Sequence, residues 1–185
     1  PDAEVRDWVQ RLVGYSLLGA NPERKVVCVL GPTSSGKTTF AEILQTVIGS
    51  YAGAMSGTVF RDNQDERPRS DIIKILNKRF VVSEEMSGSW HLHADQIKRL
   101  AGGGRVIARA PYAPEPIERM PAFTPWFIAN DPPTIKDADL ALWRRVVVVP
   151  FDVSLDESEV DVHLKDRLLG SDAVRREILC WALKG

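Results

Sequence analysis

The chain has 185 residues, 44% of them hydrophobic, with 24 Lys and Arg against 25 Asp and Glu and a formal net charge of −1. That length holds one α/β domain with a substantial core and is too short for two ordinary ones. The balanced charge excludes a whole-molecule field for nucleic acid, so any such contact must come from a local cluster. No apolar run approaches the roughly 20 residues of a membrane span, and the N-terminus lacks a signal-peptide pattern. Both point to a soluble globular domain without membrane attachment. Cys28 and Cys180 are expected as core thiols in a reducing compartment rather than as a disulfide.

Residues 2–18 space Val5, Trp8, Val9, Leu12 and Val13 on one helical face. After the polar turn Asn21-Pro22-Glu23-Arg24, the run Lys25-Val26-Val27-Cys28-Val29-Leu30 reads as a buried parallel strand. Gly31-Pro32-Thr33-Ser34-Ser35-Gly36-Lys37-Thr38 follows directly and fits the Walker A pattern. Its two glycines permit the tight turn that aims backbone N–H groups at phosphates. Lys37 reaches the β- and γ-phosphates, and the Thr38 hydroxyl serves Mg²⁺. Thr39 opens the next helix, whose N-terminus faces the anion. ATP with Mg²⁺ is the expected ligand.

Residues 51–60 are rich in glycine and small side chains, and 61–69 read as a solvated loop of alternating charge. Ser70 is positioned to cap a short helix carrying Ile72, Ile73 and Ile75. Arg79-Phe80-Val81-Val82-Ser83 is a second core strand. It ends in Glu84-Glu85, where a Walker B site belongs: parallel strands deliver their carboxyl ends to one edge, so these carboxylates share an edge with the phosphate loop. Glu84 is assigned to the metal and Glu85 to the attacking water, the reverse order remaining open. His91 and His93 near Asp95 lack a zinc-site spacing. Trp90 and Trp126 are expected to pack.

Lys98, Arg99, Arg105 and Arg109 lie in a stretch from Lys98 to Tyr112 that contains no acid. Gly102-Gly103-Gly104 ends the preceding helix, and residues 106–109 and 116–120 are placed to pair as a β-hairpin. Such a hairpin offers its basic side chains to a phosphate backbone and Tyr112 to a base. Thr124-Pro125-Trp126-Phe127-Ile128-Ala129 is a third strand, ending in Asn130, which touches either the γ-phosphate or the attacking water, or merely starts a turn. Asp139 to Arg145 reads as a short helix feeding the strand Val146 to Val149. Arg144 or Arg145 is either an arginine finger for a neighbouring subunit or part of a solvated corner. His163 is expected to be exposed. The chain ends in an apolar helix, Ile178 to Leu183, which suggests a domain excised from a longer polypeptide.

In this order, the phosphate loop, Val81-Val82-Ser83-Glu84-Glu85, Ile97-Lys98-Arg99-Leu100-Ala101-Gly102-Gly103 with Ala108-Arg109, Trp126-Phe127-Ile128-Ala129-Asn130, and Trp143-Arg144-Arg145 with Val149-Pro150-Phe151 span nearly the entire chain. The series resembles the superfamily 3 helicase domain of phage, plasmid and large-DNA-virus primase-helicases. The resemblance implies a P-loop NTPase of AAA+ type, a three-layer α/β sandwich with a central parallel sheet and an inserted β-hairpin. It further implies a hexameric ring, ATP bound between subunits, 3′ to 5′ movement on single-stranded DNA, a primase domain in the same polypeptide, and a cytoplasmic site of action in a bacterial host or at a viral replication site. By position, Lys37 and Thr38 fall in Walker A, Glu84 and Glu85 in Walker B, Asn130 in the sensor called motif C, and Arg144 at the finger, with Arg145 as its alternative. Two departures stand: Gly104 where an aspartate is common, and Ala113 near the hairpin tip where a basic residue is common. A monomeric phosphoryl-transfer kinase and an ATP-switched initiator or assembly module are the alternative functions.

Overall fold

The computed structural model describes residues 2–56, 70–83, 90, 94–109, 112–134 and 140–185, with the backbone alone at 70 and 71. Five strands, β1 (Val26–Leu30), β2 (Ala52–Met55), β3 (Phe80–Ser83), β6 (Thr124–Ala129) and β7 (Val146–Pro150), form one sheet in the order β2-β3-β6-β1-β7. Every pairing in it is parallel. Val27 stands opposite Trp126 on one side and Val147 on the other. A strand flanked on both edges must be apolar on both faces, which is why β1 reads as an unbroken hydrophobic run. Pro125 is tolerated in β6 because pairing with β1 begins only at Trp126.

Alternate residues sort to two cores. Val26 and Cys28 pack on one face with Trp90, Ile97, Phe127 and Leu142; Val27 and Val29 pack on the other with Leu12, Val13, Leu44 and Ala182. Helices α1 (Ala3–Leu17), α2 (Lys37–Ile48) and α7 (Asp172–Lys184) therefore cover one face, and α3 (Ser70–Ile75), α4 (Ala94–Ala101) and α5 (Leu140–Trp143) the other. This is the expected three-layer sandwich. The short α6 (Leu164–Leu169) leans on α2 through Lys165 Nζ, 2.6 Å from Glu42 Oε2. Between β3 and β6 in the chain, β4 (Val106–Ala108) and β5 (Ile117–Arg119) pair antiparallel as the expected hairpin.

Burial pushes the Cys28 thiol up to about 12, but three details correct the sequence reading. Residues 52–55 form an edge strand despite their small side chains, because pairing with β3 supplies what propensity does not. Cys180 is exposed rather than in the core. Trp8 is 45% exposed, although α1 meets the end of α7 close by. There Gln10 Nε2 donates to the Trp181 carbonyl at 2.7 Å, and a Cβ on Gly14 would fall 2.2 Å from Gly185. Trp8 instead lines an open groove with Val148 and Leu183. His163 is exposed just before α6, as expected. No helix among the described residues is long and apolar enough to cross a membrane.

One buried polar chain ties the sheet to α1. The Trp126 indole N–H donates to Ser16 Oγ at 2.9 Å, and the Ser16 hydroxyl donates to the Leu12 carbonyl at 2.8 Å. Ser16→Ala would leave the indole N–H buried without its acceptor. It is expected to lower stability by about 1–3 kcal/mol in urea unfolding, with an unchanged denaturant slope.

Candidate nucleotide-binding site

Residues 31–36 join the carboxyl end of β1 to α2. Their backbone is forced into a tight nest: Gly36 caps α2 at φ 86° and Ser34 adopts φ 61° without being a glycine. A left-handed non-glycine costs about 1–2 kcal/mol, so something must hold it. The segment after β7 does so: Leu155 N–H donates to the Ser34 carbonyl at 3.1 Å and Ser154 Oγ to the Thr33 carbonyl at 2.9 Å. A Cβ on Gly31 would fall 2.0 Å from the Phe151 carbonyl oxygen, so glycine is required there for close approach. No motif in the sequence announces this brace.

Lys37 is 4% exposed. Its Nζ donates to the carbonyls of Gly31 at 2.8 Å and Pro32 at 2.6 Å, and to Ser35 Oγ at 3.2 Å. This side chain lies folded into the loop, where the loop's own oxygens solvate the ammonium. Those are the positions phosphate oxygens would compete for. Thr38 is exposed and Thr39 half-buried at the N-terminus of the 12-residue α2. A cavity of about 160 Å³ lies between Thr38 and Ser83.

Parallel pairing delivers the ends of β1, β3 and β6 to one edge. Ser83 Oγ accepts from the Ile128 N–H at 3.3 Å and ties the last residues of β3 and β6 together. Glu84 and Glu85 follow Ser83 in the chain and lie outside the described residues, as do His91 and His93. Asn130 is exposed immediately after β6. Its turn is fixed by Trp90, whose Nε1–H donates to the Asp131 carbonyl at 2.9 Å while its own carbonyl accepts from the Thr134 N–H at 2.8 Å. Trp90 also packs on Phe127 at 5.5 Å between ring centroids. Trp90 and Trp126 are thus packing residues as expected, but the link from Trp90 to the Asn130 turn was not legible. Asp95 is exposed, and no cluster of metal-ligating side chains forms among the described residues.

Arg144 and Arg145 stand at the opposite end of β7. Val146 pairs with Val26 and Pro150 with Leu30, so Arg145 is level with Lys25, six residues before Gly31, and at about 3.3 Å per residue the arginines lie roughly 20 Å along the sheet from their own loop. Arg144 is exposed, and its carbonyl accepts from Lys25 Nζ at 3.1 Å. Arg145 is half-buried, its Nη1 enclosed without a hydrogen-bond partner among the described residues, and its carbonyl accepts from the Val26 N–H.

The hairpin rises near the same edge as the arginines, since Arg119 Nη1 donates to Asn77 Oδ1 just before β3. Pairing undoes part of the acid-free character of 98–112: Arg105 Nη1 meets Glu118 Oε1 at 3.3 Å. Arg109 staples the tip, Nε donating to the Ala113 carbonyl at 2.9 Å and Nη2 to the Pro114 carbonyl at 3.2 Å. Arg99 Nη2 lies 3.5 Å from the Ile107 carbonyl, and Lys98 and Arg99 are exposed on α4. Tyr112, at φ 64°, is fully exposed.

No family model matches the chain. Among curated proteins it is similar to putative helicases of Acanthamoeba polyphaga mimivirus (28% identical over 154 residues, 82% of this chain and 16% of that protein), of Invertebrate iridescent virus 6 (32% over 173 residues, 90% and 18%) and of the Sputnik virophage (28% over 163 residues, 85% and 21%). The chain thus spans about a fifth or less of the relatives it matches. Among solved structures, the NrS-1 C-terminal region aligns with a TM-score of 0.60 at 16% identity, covering 98% of this chain and 40% of that one. The JCV helicase aligns with a TM-score of 0.54 at 15% identity, covering 95% and 55%. The helicase resemblance drawn from the motifs is therefore matched by helicase-named viral relatives, and the P-loop sandwich by a solved helicase fold.

The two hairpin arginines differ in kind. Arg109→Ala is expected to raise amide hydrogen exchange across 112–119, because two loop carbonyls lose their donor. Arg105→Ala, which removes an exposed pair worth at most about 1 kcal/mol, should leave exchange there nearly unchanged.

Proposed function

We propose that this chain is the ATPase motor of a DNA helicase of viral or phage replication type. The observation that carries the reading is the Lys37 ammonium held among loop oxygens at the N-terminus of α2. An anion arriving there meets aligned N–H groups, a helix dipole and a desolvated cation together. The residues suit ATP with Mg²⁺: backbone N–H groups of residues 33–39 would cradle the phosphates, Lys37 would exchange its loop carbonyls for phosphate oxygens, and the Thr38 hydroxyl with Glu84 would hold the metal. Bound Mg²⁺ supplies neutralisation of charge on the β- and γ-oxygens. Glu85 draws the proton from the attacking water and Asn130 orients it.

The position of Arg144 supports action between subunits. Arg144, exposed and roughly 20 Å along the sheet from its own loop, cannot reach its own γ-phosphate, so its partner site belongs to a second copy in a ring. Arg145, anchored through β1 and half-buried, is the weaker candidate. Strand contact falls to the hairpin, with Tyr112 stacking on a base and Lys98, Arg99 and Arg105 near phosphates, while Arg109 shapes the tip. The ring size, the 3′ to 5′ direction and a primase domain in the same polypeptide belong to the same proposal.

Two experiments follow. Tyr112→Ala should weaken single-stranded DNA binding by about 1–3 kcal/mol while leaving its salt dependence unchanged, whereas Arg105→Ala should flatten the salt slope by roughly 0.7. Arg144→Ala should bind ATP yet lose about 10³- to 10⁵-fold in turnover. Mixed with the loop variant Lys37→Ala, it should regain part of that turnover, since some interfaces then pair an intact loop with an intact finger. Mixed rings that form and stay inactive would remove the shared site.

A further inference from the structure

Glu84 and Glu85 belong to a short stretch of chain whose two ends are both fastened to the strand and turn that carry Asn130. Ser83 stands just before that stretch, and Trp90 follows after six residues. The registered pairing of β3 with β6 stops at Val82 opposite Trp126, whereas β1 follows β6 three residues farther, to Leu30 opposite Ala129. β3 therefore parts from β6 at Ser83, which still pairs with Met55 of β2 on its other edge. Across that parting the Ser83 side chain takes the place of the ladder: its Oγ accepts from the Ile128 N–H at 3.3 Å, and the residue is 3% exposed.

The other end is held from within the core. Trp90 is 1% exposed; its indole N–H donates to the Asp131 carbonyl at 2.9 Å, and its backbone carbonyl accepts from the Thr134 N–H at 2.8 Å. The three bonds land on residues 128, 131 and 134, on both sides of Asn130. Resting on the nucleotide reading above, we propose that Ser83 and Trp90 are positioning residues for hydrolysis: they hold the chain that carries Glu84 and Glu85 in step with the turn that carries Asn130. A carboxylate and an amide that serve one water must keep their spacing closely, since a misplacement of about 1 Å costs on the order of 10²-fold in rate. A side-chain link at Ser83 lets β3 leave the sheet while its distance from β6 stays set. Neither residue belongs to the phosphate loop, so nucleotide affinity does not depend on them.

The test is calorimetric binding of Mg-ATP and steady-state turnover of the assembled protein for the wild type, Ser83→Ala, Ser83→Thr and Trp90→Phe. Ser83→Ala, and Trp90→Phe, which keeps a ring but loses the donor, should each lower kcat by about 10- to 100-fold while the Kd for Mg-ATP stays within about twofold. Ser83→Thr restores the acceptor and has room for its methyl group in the adjoining cavity of about 160 Å³, so it should regain most of the turnover. Combined with Asn130→Ala, Ser83→Ala should add little to the loss that Asn130→Ala causes alone, since both act through the same turn. Trp90→Phe keeps the test usable if Ser83→Ala does not fold. Unchanged turnover in a folded Ser83→Ala or Trp90→Phe, an ATP affinity that falls as far as turnover, a Ser83→Thr no faster than Ser83→Ala, or fully multiplicative losses in the double variant would each overturn the positioning role while leaving the nucleotide site in place. A wild type that does not bind Mg-ATP overturns the nucleotide reading itself, and the positioning role with it.

Discussion

Strand β1 is paired on both edges and covered on both faces, and the remaining geometry follows from that constraint. Because β6 and β7 run parallel to it in fixed register, the loop after Leu30, the turn after Ala129 and the segment after Pro150 leave the sheet at one edge. Burying a valine or leucine side chain contributes about 1.5–3 kcal/mol, so this register is worth far more than any hydrogen bond in the loop it positions. The loop can thus hold Ser34 in a costly conformation and keep an ammonium out of water, since the strand beneath it cannot slip. The same register that converges the phosphate loop and Asn130 separates Arg144 from them by the length of β7.

Several buried tryptophans and phenylalanines connect scaffold to site. Trp126 joins the sheet to α1 through Ser16, and Trp90 joins α4's face of the core to the turn that carries Asn130. Phe40 and Phe151 close the β7 side of the loop. These rings combine apolar packing with directed hydrogen bonds, as a surface that must present polar groups at fixed distances requires. The hairpin differs: two exposed strands of three residues, stapled at the tip by one arginine. Thin pairing of this kind suits a part that moves relative to its base.

The phosphate loop was legible because its chemistry is local: eight consecutive residues carry the turn, the cation and the helix start. The strand Thr124 to Ala129 was legible because its apolar run Trp126-Phe127-Ile128-Ala129 stops at the polar turn Asn130-Asp131. The hairpin could be read from two short runs flanking a proline-containing turn, with three glycines before the first. What could not be read depends on neighbours distant in sequence. Nothing near Arg109 says that Ala113 and Pro114 turn their carbonyls toward it, and the acid facing Arg105 arrives from the other strand. The brace from Leu155 to Ser34 crosses more than a hundred residues. Trp8 and Cys180 looked like core residues because helical spacing says which residues share a face, not whether each of them is covered.

If the loop closed around Lys37 is the nucleotide site of a motor, hydrolysis there must answer to DNA. The most direct measurement is the rate of ATP hydrolysis by the assembled protein with and without single-stranded DNA. The basal rate is expected to rise when the strand is added. A nucleotide-bound assembly with negligible turnover in either condition, or turnover indifferent to the strand, would contradict it.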